Sequence, residues 1–340
     1  MMIKQLSNSL KPTNIYPDRI WIEKPTHNRN FIGRDVELKW IQQNLYSSNV
    51  IGVLGGAGIG KTSIVNEYIH RFIGDARNVF VYHALQFSKP IESYQDFVIS
   101  CGAGRFPRKL PKYVSESLSE FTSTDRLNQF LIDNIFYNSL IVVDNANQNT
   151  IDGINNFIQE LQRGKNKYTK MILIGRNLSG IVNKVPVLRV KGLTQVELAK
   201  YYYLSGDPKW VSEVNFDQLW KKTSGIPLFN QFILDCIMER RWEERKINLC
   251  NMVKISENLE NYFFETYCPL SKKERKVIEV LNKFGKIRKN VFFFYLMMLF
   301  GIKSKTVMDS LIQRSAIYEN DIDFFLPEIT KDYLEFHYGH

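Results

Sequence analysis

Eight consecutive residues, Gly55-Gly56-Ala57-Gly58-Ile59-Gly60-Lys61-Thr62, combine glycines, one cation and one hydroxyl in the spacing G-x-x-x-x-G-K-T. Glycines let a backbone turn tightly and aim its N–H groups inward. Those groups, with the N-terminus of a helix that follows, form a cradle for anionic phosphate oxygens. In this pattern Lys61 reaches the β- and γ-phosphates of a nucleotide and the Thr62 hydroxyl ligates magnesium. Gly55, Gly56, Ala57, Gly58, Ile59, Gly60, Lys61, Thr62 and Ser63 are therefore the candidate phosphate-binding residues.

A second site of chemistry is the run Leu140-Ile141-Val142-Val143-Asp144, an apolar strand ending in a carboxylate. At the carboxyl edge of a sheet, Asp144 would face the phosphate loop and hold magnesium together with Thr62. The next position, where many such ATPases carry the base for the attacking water, is Asn145, and an amide cannot accept that proton. Slow hydrolysis, or a base from elsewhere, is the expectation; Asp152 is a candidate on nearness in sequence.

The elements that must position these residues can be read around them. Val50 to Leu54 is a short apolar run that stops at glycines, which marks a buried strand. Lys61 to Phe72 has helical spacing, with Ile64, Val65, Tyr68, Ile69 and Phe72 on one face. Val79 to Phe87, Leu140 to Val143, Met171 to Ile174 and Pro186 to Val190 are further strands. Tyr94 to Cys101, Arg126 to Phe136 and Ile154 to Leu161 are helices between them. Strands alternating with helices predict a parallel sheet covered on both faces. From Gly192 the pattern is helical only, with Val196 to Tyr203, Phe216 to Lys222 and Pro227 to Trp242 clearest. The last stretch predicts two or three helices, a hairpin over Ile317 to Phe325 and a final helix, the pattern of a winged helix.

Residues 1–30 are polar, carry Pro12, Pro17 and Pro25 and show no period, as an arm would. The expected division is an arm (1–30), a P-loop nucleotide-binding domain (31–192), a helical domain (193–269) and a winged-helix domain (270–340). The fold class is thus an α/β P-loop NTPase core with a parallel sheet, followed by a helical and a winged-helix domain.

Composition sets the outer bounds. Hydrophobic residues make up 44% and charged residues 24%, the balance of a globular chain. No apolar run reaches the roughly 18 residues of a membrane span; the longest, Val291 to Ile302, reads as a buried helix. With no signal-peptide pattern at the N-terminus, the expectation is a cytoplasmic protein without a membrane partner. Cys101, Cys236, Cys250 and Cys268 are isolated, which reads as reduced thiols rather than a metal site. The net charge of +10 permits contact with nucleic acid.

The order of motifs resembles the STAND class of P-loop NTPases, close to NB-ARC and NACHT-like proteins. Phe31-Ile32-Gly33-Arg34-Asp35-Val36-Glu37-Leu38 looks like the segment those proteins set beside the adenine, which implies base-binding roles for Gly33 and Arg34. Gly55 to Thr62 matches their Walker A loop and Leu140 to Asp144 their Walker B strand. Met171 to Asn177 resembles the sensor-1 strand, with Arg176 reading the γ-phosphate, so that Lys61, Asp144 and Arg176 form the implied catalytic set. Gly225-Ile226-Pro227-Leu228 is similar to the G-x-P turn, with Pro227 near the base, and Leu270 to Arg275 to the start of the winged helix. Three positions depart from the pattern: Asn145 for the second acid, Gly175 before the sensor arginine, and Pro327 where a winged-helix histidine touches the nucleotide. The resemblance implies an ATP/ADP switch with weak ATPase activity and Mg2+ as its metal. It implies homo-oligomers when ATP is bound, a separate effector or sensor protein as partner, and a role in bacterial-type antiviral defence signalling.

The alternative is a DNA-binding AAA+-like ATPase of the origin-recognition or transposition type. Against it, residues 271–340 carry 12 Lys+Arg and 9 Asp+Glu, a balance of only +3 (12 − 9). The wing holds Glu319, Asp321 and Asp323, which would repel phosphate. Basic clusters lie instead at Arg105 to Lys112, Arg163 to Lys167 and Lys272 to Lys276. A metabolic kinase is opposed by the long helical tail.

Overall fold

A computed structural model describes residues 28, 30–73, 81–86, 128–129, 132–133, 136, 139–146, 148–163, 168–176, 185–205, 211, 214–239, 257–300 and 305–338. The expected arm, the helix over Tyr94 to Cys101, most of that over Arg126 to Phe136 and the cluster at Arg105 to Lys112 lie outside the described residues.

Helix α1 (Asp35–Ser47) leads into strand β1 (Val50–Leu54), the phosphate loop and helix α2 (Lys61–Tyr68). A π-helical turn over Ile69–Ile73 continues α2. Then come β2 (Val81–Gln86), β3 (Ser139–Ala146), α3 (Gln148–Arg163), β4 (Lys170–Gly175) and β5 (Val187–Arg189). The five strands form one sheet in the order β2-β3-β4-β1-β5, and every pairing is parallel. Parallel strands need covered faces, and the alternation of side chains delivers them. Val50 and Leu54 of β1, Ile141 and Val143 of β3, and Met171 and Leu173 of β4 point into the cluster built on α3, with Ile154 and Phe157. Ile51 and Val53, Leu140 and Val142, and Ile172 and Ile174 point the other way, toward Leu38 and Ile41 of α1 and Ile64 and Val65 of α2.

One common strand direction has a further consequence. The phosphate loop and Arg176 follow the carboxyl ends of β1 and β4, and Asp144 lies near that of β3, so they gather at one edge of the sheet.

Beyond the sheet lie α4 (Gln195–Ser205), α5 (Phe216–Thr223), α6 (Pro227–Glu239) and α7 (Glu257–Tyr267). Pro227 opens α6, where its missing N–H costs no helical hydrogen bond. Helix α8 (Lys272–Phe284) starts at a capping box in which Ser271 and Glu274 satisfy each other's backbone N–H. Strand β6 (Lys286–Arg288), α9 (Lys289–Phe300), α10 (Lys305–Gln313), β7 (Tyr318–Glu319), β8 (Asp323–Phe325) and α11 (Glu328–Tyr338) complete the chain. The short strands form an antiparallel sheet in the order β6-β8-β7.

The expectation of a buried helix after Val291 needs correction. Helix α9 forms, but Val291, Phe294 and Met298 are exposed while Phe292 and Leu296 are fully buried. An apolar run states only that the whole helix is hydrophobic; packing covers one stripe of it. No helix among the described residues is long and apolar enough to cross a membrane.

The third hydrophobic cluster runs from Leu193 to Leu334 and joins α4–α7 to the C-terminal elements without a break at residue 270. The two clusters that clothe the parallel sheet end at Val190. Two apolar bodies therefore meet, and hydrogen bonds and ion pairs cross between them beside the close approach of Tyr318, Leu228 and Pro227 to the loop.

Candidate functional site: the phosphate loop and what lies against it

The loop after β1 bends through positive φ at Gly58 and Gly60. At Gly58 a side chain would also collide with Leu228, whose N–H donates to the Gly58 carbonyl at 3.1 Å. Lys61 opens α2 and its Nζ donates to the Gly56 carbonyl at 2.8 Å. Burial pushes the Lys61 pKa down to about 8; the nearby Arg176 charge adds to the depression and Asp144 opposes it. The side chain of Ser63 is exposed.

Asp144 is buried, and its Oδ2 accepts the Thr62 hydroxyl at 2.9 Å while its Oδ1 accepts the Asn145 N–H at 2.8 Å. A hydroxyl and a carboxylate in contact beside a lysine and a glycine-rich loop fit the donor set for Mg2+ and nucleotide phosphates. The Asp144–Asn145 pair sits on a β-bulge: between Val143 and Ala146 the register with β4 slips by one residue. The bulge puts Asn145 at φ 58, a left-handed conformation that Asn tolerates better than most side chains. The amide at this position thus has a conformational reason. Asp152 lies exposed on α3.

Arg176 follows β4, and its Nη1 donates to the carbonyl of Gln313, the last residue of α10, at 2.6 Å. A helix C-terminus presents carbonyls and a partial negative charge, which suits a guanidinium. On the other side, Arg34 is buried in a left-handed turn (φ 64) and its Nη2 donates to the Ile59 carbonyl at 3.3 Å. The Arg34 N–H donates to Glu197 Oε1 at 3.2 Å, and Glu197 Oε2 accepts from the N–H and hydroxyl of Thr194, each at 2.8 Å. Partial burial pulls the Glu197 pKa up, but these donors and the Arg34 charge outweigh it and hold the carboxylate below its usual range. Glu197 lies where a side chain on residue 33 would be, so Gly33 is needed for close approach. Pro227 stands in ordinary contact range of Gly60.

Several residues that touch the loop were not singled out from sequence. The Ser315 hydroxyl accepts the Ala57 N–H at 2.7 Å. Tyr318 lies over the loop so closely that a methyl on Gly56 would come within 2.5 Å of its ring. The Tyr318 hydroxyl stands 3.2 Å from that of Tyr262, and burial raises the pKa of both phenols. Glu197, which meets Gly33 and Arg34 rather than the loop, was likewise not singled out. The segment from Gln313 to Tyr318 thus reaches both the loop and Arg176. Pro327 does not; its carbonyl accepts the N–H of Thr330 and Lys331 at the start of α11. No sequence pattern marks Ser315, since a lone serine before a hairpin has no distinguishing neighbour.

The sheet and the loop together have the form of the P-loop NTPase fold. No protein-family model matches the chain, and no curated protein does. Solved structures do match. The Walker-type ATPase of Pyrococcus abyssi shares 11% identity over 93% of this chain and 100% of its own, with a TM-score of 0.57. That likeness places the chain in the same fold. A STAND protein with a tetratricopeptide repeat sensor from Pyrococcus horikoshii matches at 19% identity over 93% of this chain, with a TM-score of 0.47. This chain spans 44% of that protein. Drosophila ORC bound to DNA matches at 11% identity over 98% of this chain and 97% of its own, with a TM-score of 0.44.

Proposed function

We propose that this chain is a nucleotide-dependent switch of the STAND type, with ADP and ATP as its two ligands, Mg2+ as its metal and slow ATP hydrolysis. The observation that carries the reading is the hold of one C-terminal segment on the phosphate site at two points. Ser315 takes the Ala57 N–H and the Gln313 carbonyl takes Arg176. A γ-phosphate would compete for both groups, because a phosphate oxygen is a stronger acceptor than a serine hydroxyl or a peptide carbonyl. A triphosphate would therefore separate the segment from the loop, whereas a diphosphate would leave it in place.

Within this reading Gly55 to Ser63 cradle the phosphates, Lys61 supplies the mobile cation, and Thr62 with Asp144 hold the metal. The metal, when bound, neutralises charge on the phosphate oxygens. Gly33, Arg34 and Pro227 frame the base, and Arg176 reads the γ-phosphate. The four-part domain division, a homo-oligomer in the ATP form and a separate effector or sensor partner, as in defence signalling, belong to the same proposal. The DNA-loading alternative is disfavoured because the cations around the wing, Arg189, Lys191, Lys286 and Lys289, are already engaged by Glu319, Asp321 and Asp323 and so are not presented to DNA phosphate.

Two measurements test the reading. The nucleotide carried through purification, released by denaturation and resolved by chromatography, should be ADP at about one per chain. Replacing it with a non-hydrolysable ATP analogue should enlarge the particle in sedimentation. A size that stays the same with either nucleotide, or a change that needs duplex DNA and vanishes with salt, would overturn it.

A further inference from the structure

The acidic wing is fastened to the ATPase core by ion pairs that cross between the two apolar bodies. Arg189 Nη1, at the end of β5, lies 2.7 Å from Glu319 Oε1 of β7. Lys191 Nζ lies 2.7 Å from Asp321 Oδ2 in the turn that follows. The second pair is open to water, with Lys191 63% and Asp321 57% exposed, and such a pair holds weakly. The wing therefore follows the fate of the Ser315 and Gln313 contacts beside it rather than deciding it.

The wing keeps its shape without the core. Asn320 Oδ1 accepts the N–H of Ile322 at 2.9 Å and of Asp323 at 2.7 Å, which closes the turn. Strand β8 pairs with both β6 and β7. Asp323 pairs with Lys286, and Glu319 pairs also with Lys289, all inside the C-terminal body. If that body lifts away, it carries a preformed acidic tip. Two cations, Arg189 and Lys191, are left without it on the core.

We infer that the core edge at Arg189 and Lys191 is a docking site for the wing of a second copy of this chain. A contact that forms within one chain can re-form between chains once the elements separate, because the surfaces already fit. While the chain is closed, its own wing wins through its high effective concentration. Once a triphosphate displaces the segment, the proposed switch carries the chain's own wing away from the edge, and a neighbour's wing can take its place. The contact is head-to-tail, so it extends to a ring or a filament. Nucleic acid is the poorer occupant, since Arg189 and Lys191 together would meet only about two phosphates, few for stable binding. This inference rests on the switch reading for the event that frees the wing.

The test uses two full-length charge reversals, Arg189→Glu/Lys191→Glu and Glu319→Lys/Asp321→Lys, each checked for nucleotide binding. Sedimentation is followed with a non-hydrolysable ATP analogue. Each variant alone should need at least about tenfold more protein than wild type to assemble. An equimolar mixture should recover assembly, because the intact wing of one fits the intact edge of the other, and the two reversed surfaces also match. All four substitutions in one chain should restore self-assembly, which rules out misfolding as the cause. A mixture no better than its components overturns the inference. So does a loss confined to the edge variant, which would point to a different anionic occupant. Wild type that binds the analogue and stays monomeric removes the switch reading as well, and so separates the two failures.

Discussion

Lys61 carries the sharpest prediction at the scale of a single residue. Lys61→Ala removes the cation that meets the β- and γ-phosphates and should abolish nucleotide binding in a direct titration; retained tight binding would refute the site. The wild-type side chain titrates near pH 8 in the ligand-free site, against 10.5 for an ordinary lysine. Nucleotide affinity should therefore fall as pH rises through about 8, where the free protein loses the charge that the phosphates require. The stability effect has the opposite sense. Between about pH 8 and 10.5 the unfolded chain binds more protons at this lysine than the folded one does. Stability contributed here rises with pH across that window. A pH series of denaturant midpoints for wild type and Lys61→Met should show that rise only in wild type.

Elements set how firmly the loop is closed. The turn between α10 and β7 holds Ser315 at φ 58 and buries it, so that its hydroxyl has one direction to point. Ser315→Ala leaves the Ala57 N–H without that acceptor, a loss of about 1 kcal/mol, which is roughly a fivefold shift toward the open form. Nucleotide release, followed with a fluorescent analogue in stopped flow, should quicken by about that factor. An unchanged rate would mean that the turn does not gate the site. The turn at Gly33 and Arg34 acts from the opposite side through Glu197, whose carboxylate ties α4 to that turn.

For the whole molecule, the partition of apolar surface matters most. The sheet clusters stop at Val190 and the next begins at Leu193. Hydrogen bonds and ion pairs across that divide exchange with water more readily than the buried clusters on either side, so the proposed switch would part here. Arg176 stands on the divide. Arg176→Ala should leave ADP binding largely intact but suppress the enlargement driven by an ATP analogue, as measured by light scattering. Equal loss of both would count against the sensor role.

Sequence alone determined whatever depends on local pattern and backbone need. Gly55 to Thr62 announced the loop, and the apolar runs located β1 to β5. The bulge at Asp144 and Asn145 was not legible, because a one-residue slip depends on the neighbouring strand. Helix α9 looked buried because a run of apolar residues does not say which stripe will be covered. Ser315, Tyr318 and Glu197 could not be found at all. Each contacts a residue more than 160 positions away, Ala57, Gly56 and Arg34 respectively. A contact of that span joins two bodies with separate apolar clusters, and tertiary structure alone decides how those meet.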